Sequence, residues 1–376
     1  MRRTFVLGLA ATVFLSPVVS AQSHSPVGPD TRWTLSAVGD VIMNRRLEQF
    51  DHPGDSAFHE MANIIRATDA AFMNLEQSVF RLAEFDGWPA AENGGNYEVG
   101  SPETLKDLVS MGFNLFNRAN NHTTDYGVEG MQLTNRLMDE WGLIHSGSGD
   151  NLGWASRPGY LETPKGRIAL IGMASTHTPM SRAGAVGPTV QGRPGLNALR
   201  LSTRNEGSPA TMDALRTVAR AQGLNVSDNP NASVRIFGTT VSPGDQDRSV
   251  VSLNDVDRER VLHEVRNATD QGDYVVVNSH SHEPGNGSVL PPDWMVEFSH
   301  QIIDAGANTM VIHGPHQLRG IEIYEGRPIF YSLANFIFQN ETIDPMPADQ
   351  RTRYGLPLND LASEIYDRRF RVDEDG

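Results

Sequence analysis

Histidine, carboxylate and carboxamide side chains follow the ends of five apolar runs in this sequence. Each run has the length and composition of a β-strand, and in α/β sheets ligands bind in the crevice beyond the carboxyl ends of the strands. Each polar group alone is a weak signal, because such residues are most often exposed. Together they predict that five strand ends bring metal-ligating side chains to one rim. The groups are Gly39-Asp40, Glu76, Asn120-Asn121-His122, His280-Ser281-His282-Glu283 and His313-Gly314-Pro315-His316.

The composition limits the chemistry of such a rim to nitrogen and oxygen ligands. The 376-residue chain has 12 His and no Cys, which excludes a thiolate nucleophile, a disulfide framework and a thiolate zinc site. Imidazole together with carboxylate oxygen is the ligand set of Zn, Mn or Fe(II). Lys106 and Lys165 are the only lysines among 31 basic residues, so Schiff-base chemistry is disfavoured, while many arginines remain to bind carboxylate or phosphate groups.

The charge balance excludes a nucleic-acid binder that works by neutralising phosphates. The chain has 31 Lys+Arg against 46 Asp+Glu, a formal net charge of −15. The hydrophobic content of 39% is that of a globular protein with one or two domains.

The first 21 residues predict a secretory signal peptide. Two arginines precede an apolar run from Phe5 to Val19, and small residues up to Ala21 provide a cleavage site. The run is shorter than the roughly 20 residues that a membrane span needs. We therefore expect an exported protein, periplasmic or extracellular, with a linker over residues 22–30 and no transmembrane span after signal cleavage.

Apolar runs alternate with helical patterns over residues 31–340 and predict an α/β layered sheet. The predicted strands are Trp33–Val38, Ala70–Leu75, Phe113–Asn117, Ile168–Met173, Tyr274–Val277, Thr309–Ile312, Ile321–Tyr324 and Ile329–Leu333. The predicted helices are Ser56–Arg66, Pro102–Met111, Val128–Trp141, Met212–Gln222, Val256–Gln271 and Asp293–Ala305.

The alternation fails over about residues 177–254, where Gly, Pro, Ser, Asn and Arg dominate around one helical pattern. We expect a long loop-rich insertion there. Because long loops in compact domains are usually functional, His177 and Arg193 near its entry are candidate substrate contacts. A C-terminal segment follows over residues 341–376, and the sequence leaves open whether Gly376 is its natural end.

Four stretches of the sequence match the motifs of one family in the same order. They are Ala37-Val-Gly-Asp-Val41, Met73-Asn-Leu-Glu76, Arg118-Ala-Asn-Asn-His-Thr-Thr-Asp-Tyr-Gly127, and His313-Gly-Pro-His-Gln-Leu-Arg-Gly-Ile-Glu322 continuing into Phe330-Tyr-Ser-Leu-Ala-Asn-Phe336. Over roughly residues 31–338, outside the insertion, the chain resembles the CapA-type proteins of poly-γ-glutamate capsule synthesis, within the calcineurin-like metallophosphoesterase superfamily.

This resemblance implies a four-layer αββα sandwich of the metallophosphoesterase type, with a divalent metal (Mn, Zn or Fe) on its rim. The metal ligands that it implies are Asp40, Glu76, Asn121, His280, His313 and His316. The catalytic candidates are His122, which would act as the acid, together with His282 and Glu283.

The sequence departs from the superfamily's motifs at the metal site. Ile42 stands where the first motif usually has a histidine, and Glu76 stands where phosphoesterases usually have Asp. His280 and His282 compete for one ligand role in the fourth motif. We therefore expect one tight metal position on Glu76, Asn121, His280 and His313, and a second, weak or absent, on Asp40, Glu76 and His316.

Metal-assisted hydrolysis or transfer at a γ-glutamyl amide bond is the activity we expect, on an anionic peptide or polyglutamate. The arginines beside the motifs are candidate carboxylate binders, namely Arg45, Arg46, Arg118 and Arg319. Phosphoester hydrolysis, epimerisation at a peptidyl Cα by His280 and His282, and a non-catalytic accessory role in handling polymer remain as alternatives. The sequence does not determine the oligomeric state.

Overall fold

The computed structural model describes most of the chain from Arg32 to Phe370. The described ranges are 32–52, 54–90, 96–343 and 346–370. The chain divides after Arg32, and the elements described below all belong to the unit that begins at Trp33. The predicted signal peptide (1–21) and linker (22–30) lie outside the described residues. No helix in the described ranges is long and apolar enough to cross a membrane.

Helices and strands alternate along the described chain, which confirms the predicted α/β class. The strands are β1 Leu35–Ile42, β2 Ala70–Leu75, β3 Ser78–Val79, β4 Val99–Gly100, β5 Leu115–Asn117, β6 Ile144–Ser146, β7 Ser148–Gly149, β8 Gly159–Thr163, β9 Gly166–Ala174, β10 Gly195–Leu196, β11 Leu201–Gly207, β12 Val234–Ile236, β13 Thr239–Pro243, β14 Arg248–Leu253, β15 Tyr274–His280, β16 Thr309–His313, β17 Ile321–Tyr324, β18 Arg327–Phe330 and β19 Asn335–Phe338. The helices are α1 Ser56–Arg66, α2 Pro102–Ser110, α3 Gly127–Glu140, α4 Leu152–Ser156, α5 Pro209–Ala221, α6 Asp255–Gln271, α7 Asp293–Asp304, α8 Ala348–Arg353 and α9 Ala362–Phe370.

Two large sheets carry the strand ends singled out by the sequence. The first has five strands in the order β19-β1-β2-β5-β6, and all of its neighbouring strands are parallel. The second has six strands in the order β17-β18-β16-β15-β9-β8, with a parallel centre and an antiparallel strand at each edge. Parallel strands end at the same edge of a sheet, so each sheet presents its carboxyl ends as one row.

Three apolar cores pack against these two sheets. One core lies between the sheets and combines Phe72 and Leu115 of the first with Leu170, Val276 and Val311 of the second. Another joins the five-stranded sheet to α1, α2 and α3, and the third joins the six-stranded sheet to α6 and α7. Each large sheet therefore has helices on one face and the other sheet on its opposite face.

The alternation of side chains along β15 places the histidine candidates between the two sheets. Val275 and Val277 point to the helices, whereas Val276 belongs to the core between the sheets. Because strand side chains alternate in direction, Asn278 and His280 continue the face of Val276. The same alternation in β2 puts Asn74 and Glu76 on the face of Phe72, and in β16 it puts His313 on the face of Val311.

The first strand extends further than the sequence indicates. It was expected to end at Val38, but β1 continues through Gly39 and Asp40 to Ile42. At this point the backbone amide of Asp40 donates to the Ala334 carbonyl at 2.8 Å. A Cβ on Gly39 would lie 1.9 Å from that carbonyl oxygen, so glycine permits the close approach that fixes Asp40.

The expectation of a loop-rich insertion is wrong for its second half. Strands β12-β13-β11-β14 form a four-stranded sheet there, and α5 packs on it through Met212 and Ala219. These strands are short, largely exposed and rich in polar residues, so they lack the apolar runs that reveal buried strands. In addition, β11 pairs with β14, which is distant in the sequence, and local sequence patterns do not predict such a pairing.

Candidate metal centre

Three fully buried side chains converge at the ends of β1, β15 and β16. His280 Nδ1 lies 3.1 Å from His313 Nδ1 and 3.6 Å from Asp40 Oδ1. His313 Nδ1 lies 3.3 Å from the same Asp40 oxygen. Tetrahedral ligands bonded to an ion at about 2.0–2.2 Å lie about 3.3–3.6 Å apart. Two of the three distances fall in this range and the third, 3.1 Å, is slightly shorter, so the spacing is close to that of one face of a tetrahedral metal site.

Backbone and carboxamide groups hold the Asp40 carboxylate in this position. The Gly314 amide donates to Oδ2 at 3.0 Å, and Asn74 Nδ2 donates to Oδ1 at 2.9 Å. The side-chain oxygen Oδ1 of Asn74 in turn accepts hydrogen bonds from the side-chain amides of Asn117 and Asn120. Burial opposes ionisation of Asp40, but hydrogen bonds from the surrounding imidazoles hold its pKa well below the ordinary value. The carboxylate is thus fixed and charged.

A second group links Glu76 to two histidines. His280 Nε2 lies 3.1 Å from His282 Nε2 and 3.7 Å from Glu76 Oε1. The three donor atoms all lie within 4.8 Å of one another, so this group could also hold a metal ion. His282 Nδ1 lies 2.8 Å from Asn286 Oδ1, and burial lowers the pKa of His282 to about 4. Both histidines of the fourth motif, His280 and His282, therefore belong to this second group.

Glu76, Glu98 and His122 form a third buried group. His122 Nε2 lies 3.4 Å from Glu98 Oε1, and His122 Nδ1 lies 2.7 Å from Asp125 Oδ2. Burial opposes the charged form of His122, but the Asp125 and Glu98 carboxylates outweigh it and raise its pKa to about 9. Burial raises the pKa of Glu98 to about 7, and burial with the charge of Asp40 holds the pKa of Glu76 well above its usual range.

A cavity of about 330 Å³ opens beside these groups. His122 and His282 both line it, and their surroundings shift their pKa values in opposite directions. One imidazole is therefore protonated at neutral pH and the other is neutral, as an acid and a base must be. The remaining lining residues are Ile42, Asn96, Glu98, Asn121, Thr176, Asn286, His316 and Arg369.

Of three further predicted site residues, two lie beside the groups just described and one does not. His316 Nδ1 is 2.7 Å from Asn335 Oδ1 and 3.4 Å from Asp40 Oδ2, at the edge of the first group. Asn121 lines the cavity, and its buried Oδ1 has no hydrogen-bond partner within the described ranges. Glu283 does not line the cavity, because its Oε2 accepts hydrogen bonds from two serine hydroxyls at 2.6 and 2.5 Å.

Two of the predicted substrate arginines hold backbone segments instead of lining the cavity. Arg118 is fully buried, and its NH1 donates to the carbonyls of Leu75 and Gln77 at 2.8 and 2.9 Å. Arg319 donates to carbonyls in the segment 283–288 at 2.8–3.2 Å. Both guanidinium groups therefore stabilise the loops that carry site residues.

The other predicted substrate residues also lie away from the cavity lining. Arg193 is exposed and donates to the Arg182 carbonyl at 2.9 Å. Both ring nitrogens of His177 lie within 3.2 Å of backbone carbonyl oxygens. Arg45 is exposed, and Arg46 is paired with Asp107 at 2.8 Å. Direct contact of these residues with substrate stays a prediction that their placement does not support.

The donors are also grouped differently from the two expected metal positions. The expected ligand sets assign Asp40 to the weak position and His280 and His313 to the tight one, but Asp40 Oδ1 lies within 3.6 Å of both histidines. The physical reason is that β1 faces β16 across the space between the sheets, where these side chains meet. The sequence shows the strand ends but not which strands oppose one another.

Three residues of this site are not among those predicted from the sequence. Glu98 follows no apolar run, and it is placed by the two-residue pairing of β3 with β4. Arg369 reaches the cavity from α9, in the C-terminal segment. Asn74 was inside a predicted strand, where an amide in a buried apolar run was the available signal.

Comparison with known proteins places the chain among bacterial capsule proteins. The family model described as bacterial capsule synthesis protein PGA_cap matches residues 34–340. An uncharacterized protein of Sinorhizobium fredii (strain NBRC 101917 / NGR234), y4sH, is 41% identical over 345 residues, which cover 92% of this chain and 71% of the relative. The capsule biosynthesis protein CapA of Bacillus anthracis is 24% identical over 89% of this chain and 67% of its own length. The PGA biosynthesis protein CapA of Bacillus subtilis (strain 168) is 26% identical over 81% of this chain and 63% of its own length.

Proposed function

Because this chain belongs to the bacterial capsule synthesis protein family PGA_cap, we propose that it is a metal-dependent hydrolase or transferase acting on an amide bond of an anionic peptide. The proposed substrate class is γ-linked polyglutamate or a related peptide, by analogy with the relatives named CapA. The observation that carries the proposal is the triangle of Asp40, His280 and His313, whose buried donor atoms have the spacing of metal ligands.

The donor set of this triangle fits a divalent metal ion. One ionised carboxylate and two imidazoles suit Zn, Mn or Fe(II), and tight-binding sites in proteins are commonly built from such groups. Asp40, His280 and His313 would hold the ion, with Glu76 and His282 beside it. Such an ion lowers the pKa of bound water and polarises the bond under attack.

The residues lining the cavity supply the proton transfers of the proposed reaction. His122 carries a proton on Nε2 at neutral pH, because Asp125 holds Nδ1 at 2.7 Å and favours the imidazolium. This proton is available to the leaving amine. His282, kept neutral by burial, is one group on the cavity wall that can accept a proton.

The cationic side chains of the cavity favour an anionic substrate. Arg369 of α9 lines the cavity, and α9 is tied to its wall by the hydrogen bond from Asn96 Nδ2 to the Tyr366 hydroxyl. In a γ-linked glutamate chain each residue keeps a free α-carboxylate next to the amide. We assign the binding of such a carboxylate to Arg369, since a guanidinium can hold it in bidentate fashion.

The same proposal extends to the finer features of fold and location. Two facing sheets have helices on their outer faces, and we assign this arrangement to the four-layer metallophosphoesterase type. We propose residues 31–340 as the domain, with residues 177–254 as an insertion in it. We also propose that residues 1–21 direct export, so that the protein acts in the periplasm or outside the cell.

Mass spectrometry of γ-linked glutamate oligomers tests the proposed reaction. Purified protein treated with chelator and then loaded with Mn²⁺ or Zn²⁺ should shorten or transfer the oligomers, and the chelated protein should not. His313→Gln should lose this activity, whereas the exposed His263→Gln on α6 should keep it. Unchanged oligomers with every metal would contradict the proposal.

The same samples separate the alternative activities. Incubation in D₂O would introduce deuterium at unchanged chain length if the protein were an epimerase. Cleavage of a phosphoester in place of the oligomers would indicate a phosphatase. Binding of oligomers without metal dependence and without turnover would indicate an accessory protein that handles polymer.

A further inference from the structure

A cavity of about 630 Å³ lies outside the candidate metal centre, where the insertion meets the helices of the six-stranded sheet. Strand β14 lines it from Val250 to Leu253, and α7 lines it from Asp293 to Gln301. None of the described residues that line it also lines the cavity beside the metal donors. We call this cavity the β14–α7 groove.

The groove runs along an open edge of the four-stranded sheet. Within the described ranges β14 pairs only with β11, and the Asn254 amide donates to the Arg200 carbonyl at 2.9 Å. Hydrogen-bonded positions alternate in an antiparallel pair, so the backbone groups of Ser252 also face β11. Those of Val251 and Leu253 therefore point to the open edge, where an unpaired row of backbone groups can pair with another chain.

Two polar side-chain atoms of α7 in this groove lack a hydrogen-bond partner among the described residues. They are Nε1 of Trp294, a residue that is 7% exposed, and Oε1 of Gln301. Buried polar atoms are nearly always partnered. The indole nitrogen is a donor and the amide oxygen an acceptor, so they require a ligand that offers both kinds of group. A peptide backbone offers both at every residue.

The charged lining of the groove is predominantly acidic. Asp293 and Glu297 lie one turn apart on α7, and both are exposed. Asp255 is a third carboxylate of the lining, and Arg258, the basic residue of the lining, pairs with it at 2.8 Å. Complementary charge suppresses wrong partners and favours the right one. The groove therefore favours a basic ligand and disfavours an anionic polyglutamate chain.

We propose that an extended, basic peptide segment of a partner protein binds in the β14–α7 groove as an added strand. Its backbone pairs with Val251 and Leu253, in the manner of peptides that extend a sheet at an open edge. Both residues pack against the core that contains Trp294, so every second side chain of the added strand faces α7. The site needs neither a metal ion nor turnover, so it can be tested independently of the proposed reaction.

Two labelled octapeptides test the proposal by fluorescence anisotropy. One repeats Lys-Val and the other repeats Glu-Val, and both have blocked ends. The wild-type protein should bind the Lys-Val peptide at least about tenfold more tightly than the Glu-Val peptide. In hydrogen-exchange NMR the Lys-Val peptide should protect the amides of Val251 and Leu253, and it should leave that of Ser252 unchanged because this amide already faces β11.

Two substitutions locate the binding in the groove. Trp294→Phe removes the unpartnered N–H and should weaken binding of the Lys-Val peptide about fivefold. Trp33→Phe is the matched control, because Nε1 of Trp33 also lacks a partner within the described ranges but Trp33 does not line the groove. Val251→Pro removes an outward amide, a change that edge strands tolerate, and should weaken binding about tenfold or more.

Circular dichroism establishes that each variant is folded, and if Val251→Pro does not fold, Trp294→Phe and the exchange pattern decide the question. Absence of saturable binding of the Lys-Val peptide up to about 1 mM would overturn the proposal. Equal binding of the two peptides, or protection confined to amides outside β14, would also overturn it. A wild-type dimer in analytical ultracentrifugation that dissociates in Val251→Pro would mean that a second copy of this chain occupies the edge instead.

Discussion

Replacing His122 with glutamine should remove an alkaline loss of stability from the metal-free protein. His122 has a pKa of about 9 in the folded state, against about 6.5 in an unfolded chain. Its protonated form stabilises the fold fully below pH 6.5, and this contribution is lost as the pH rises to 9. The difference of about 2.5 units corresponds to about 3 kcal/mol for this fully buried group, at 1.36 kcal/mol per unit.

Urea unfolding of chelated protein at pH 7 and pH 9.5 measures this effect. The free energy of unfolding should fall by about 2.4 kcal/mol more in the wild type than in His122→Gln, slightly less than the full effect because the imidazole of the unfolded chain is already mostly neutral at pH 7. Burial raises the pKa of Glu98 to about 7, so its protonated form stabilises the fold at acid pH. Most of that stabilisation is already lost at pH 7, where the measurement begins. His263→Gln on α6 should behave like the wild type. Equal pH dependence in the wild type and His122→Gln would refute the assignment of a charged, buried imidazole.

Three further substitutions test other parts of the site. Arg369→Ala should raise KM for glutamate oligomers about tenfold with little change in kcat, whereas Arg368→Ala on the same helix should leave both unchanged; equal effects would contradict the carboxylate role. Ile42→His should tighten the expected weak second metal ion in a Mn²⁺ titration of chelator-treated protein, because Ile42 lines the cavity, and no change would mean that the first motif is misassigned. Arg118→Met should lower the free energy of unfolding by about 2–4 kcal/mol, since two buried carbonyls lose their donor, while the exposed Arg45→Met should change it by under about 0.5 kcal/mol. Similar stability of the two arginine variants in urea would contradict the structural role of Arg118.

The strand ends could be predicted from the sequence because apolar runs reveal buried parallel strands. β2 and β17 have the expected bounds, Ala70–Leu75 and Ile321–Tyr324. The proximity of His280 and His313 follows from the rule that parallel strands end at one edge, whereas Asp40 reaches them because β1 of the other sheet contacts β16. This rule depends only on the direction of neighbouring strands, so it can be applied without knowledge of the whole fold.

Residues placed by distant pairing could not be predicted in this way. Glu98 reaches the site through the pairing of β3 with β4, two strands of two residues each. Arg369 arrives on a helix that packs through Tyr366 against Asn96. Neither the register of a two-residue ladder nor the docking of a helix leaves a periodic signal in the sequence.

The division of the first group between two sheets gives a bound ion a mechanical role. Asp40 belongs to the five-stranded sheet, and His280 and His313 belong to the six-stranded one. An ion held by all three is therefore a non-covalent cross-link between the two halves of the fold, closing a loop that spans most of the chain. At a free concentration of about 1,000 times its Kd it adds about 4 kcal/mol to the free energy of unfolding. Metal supply would then govern not only the proposed reaction but also how long the two sheets stay together before the chain opens to proteases.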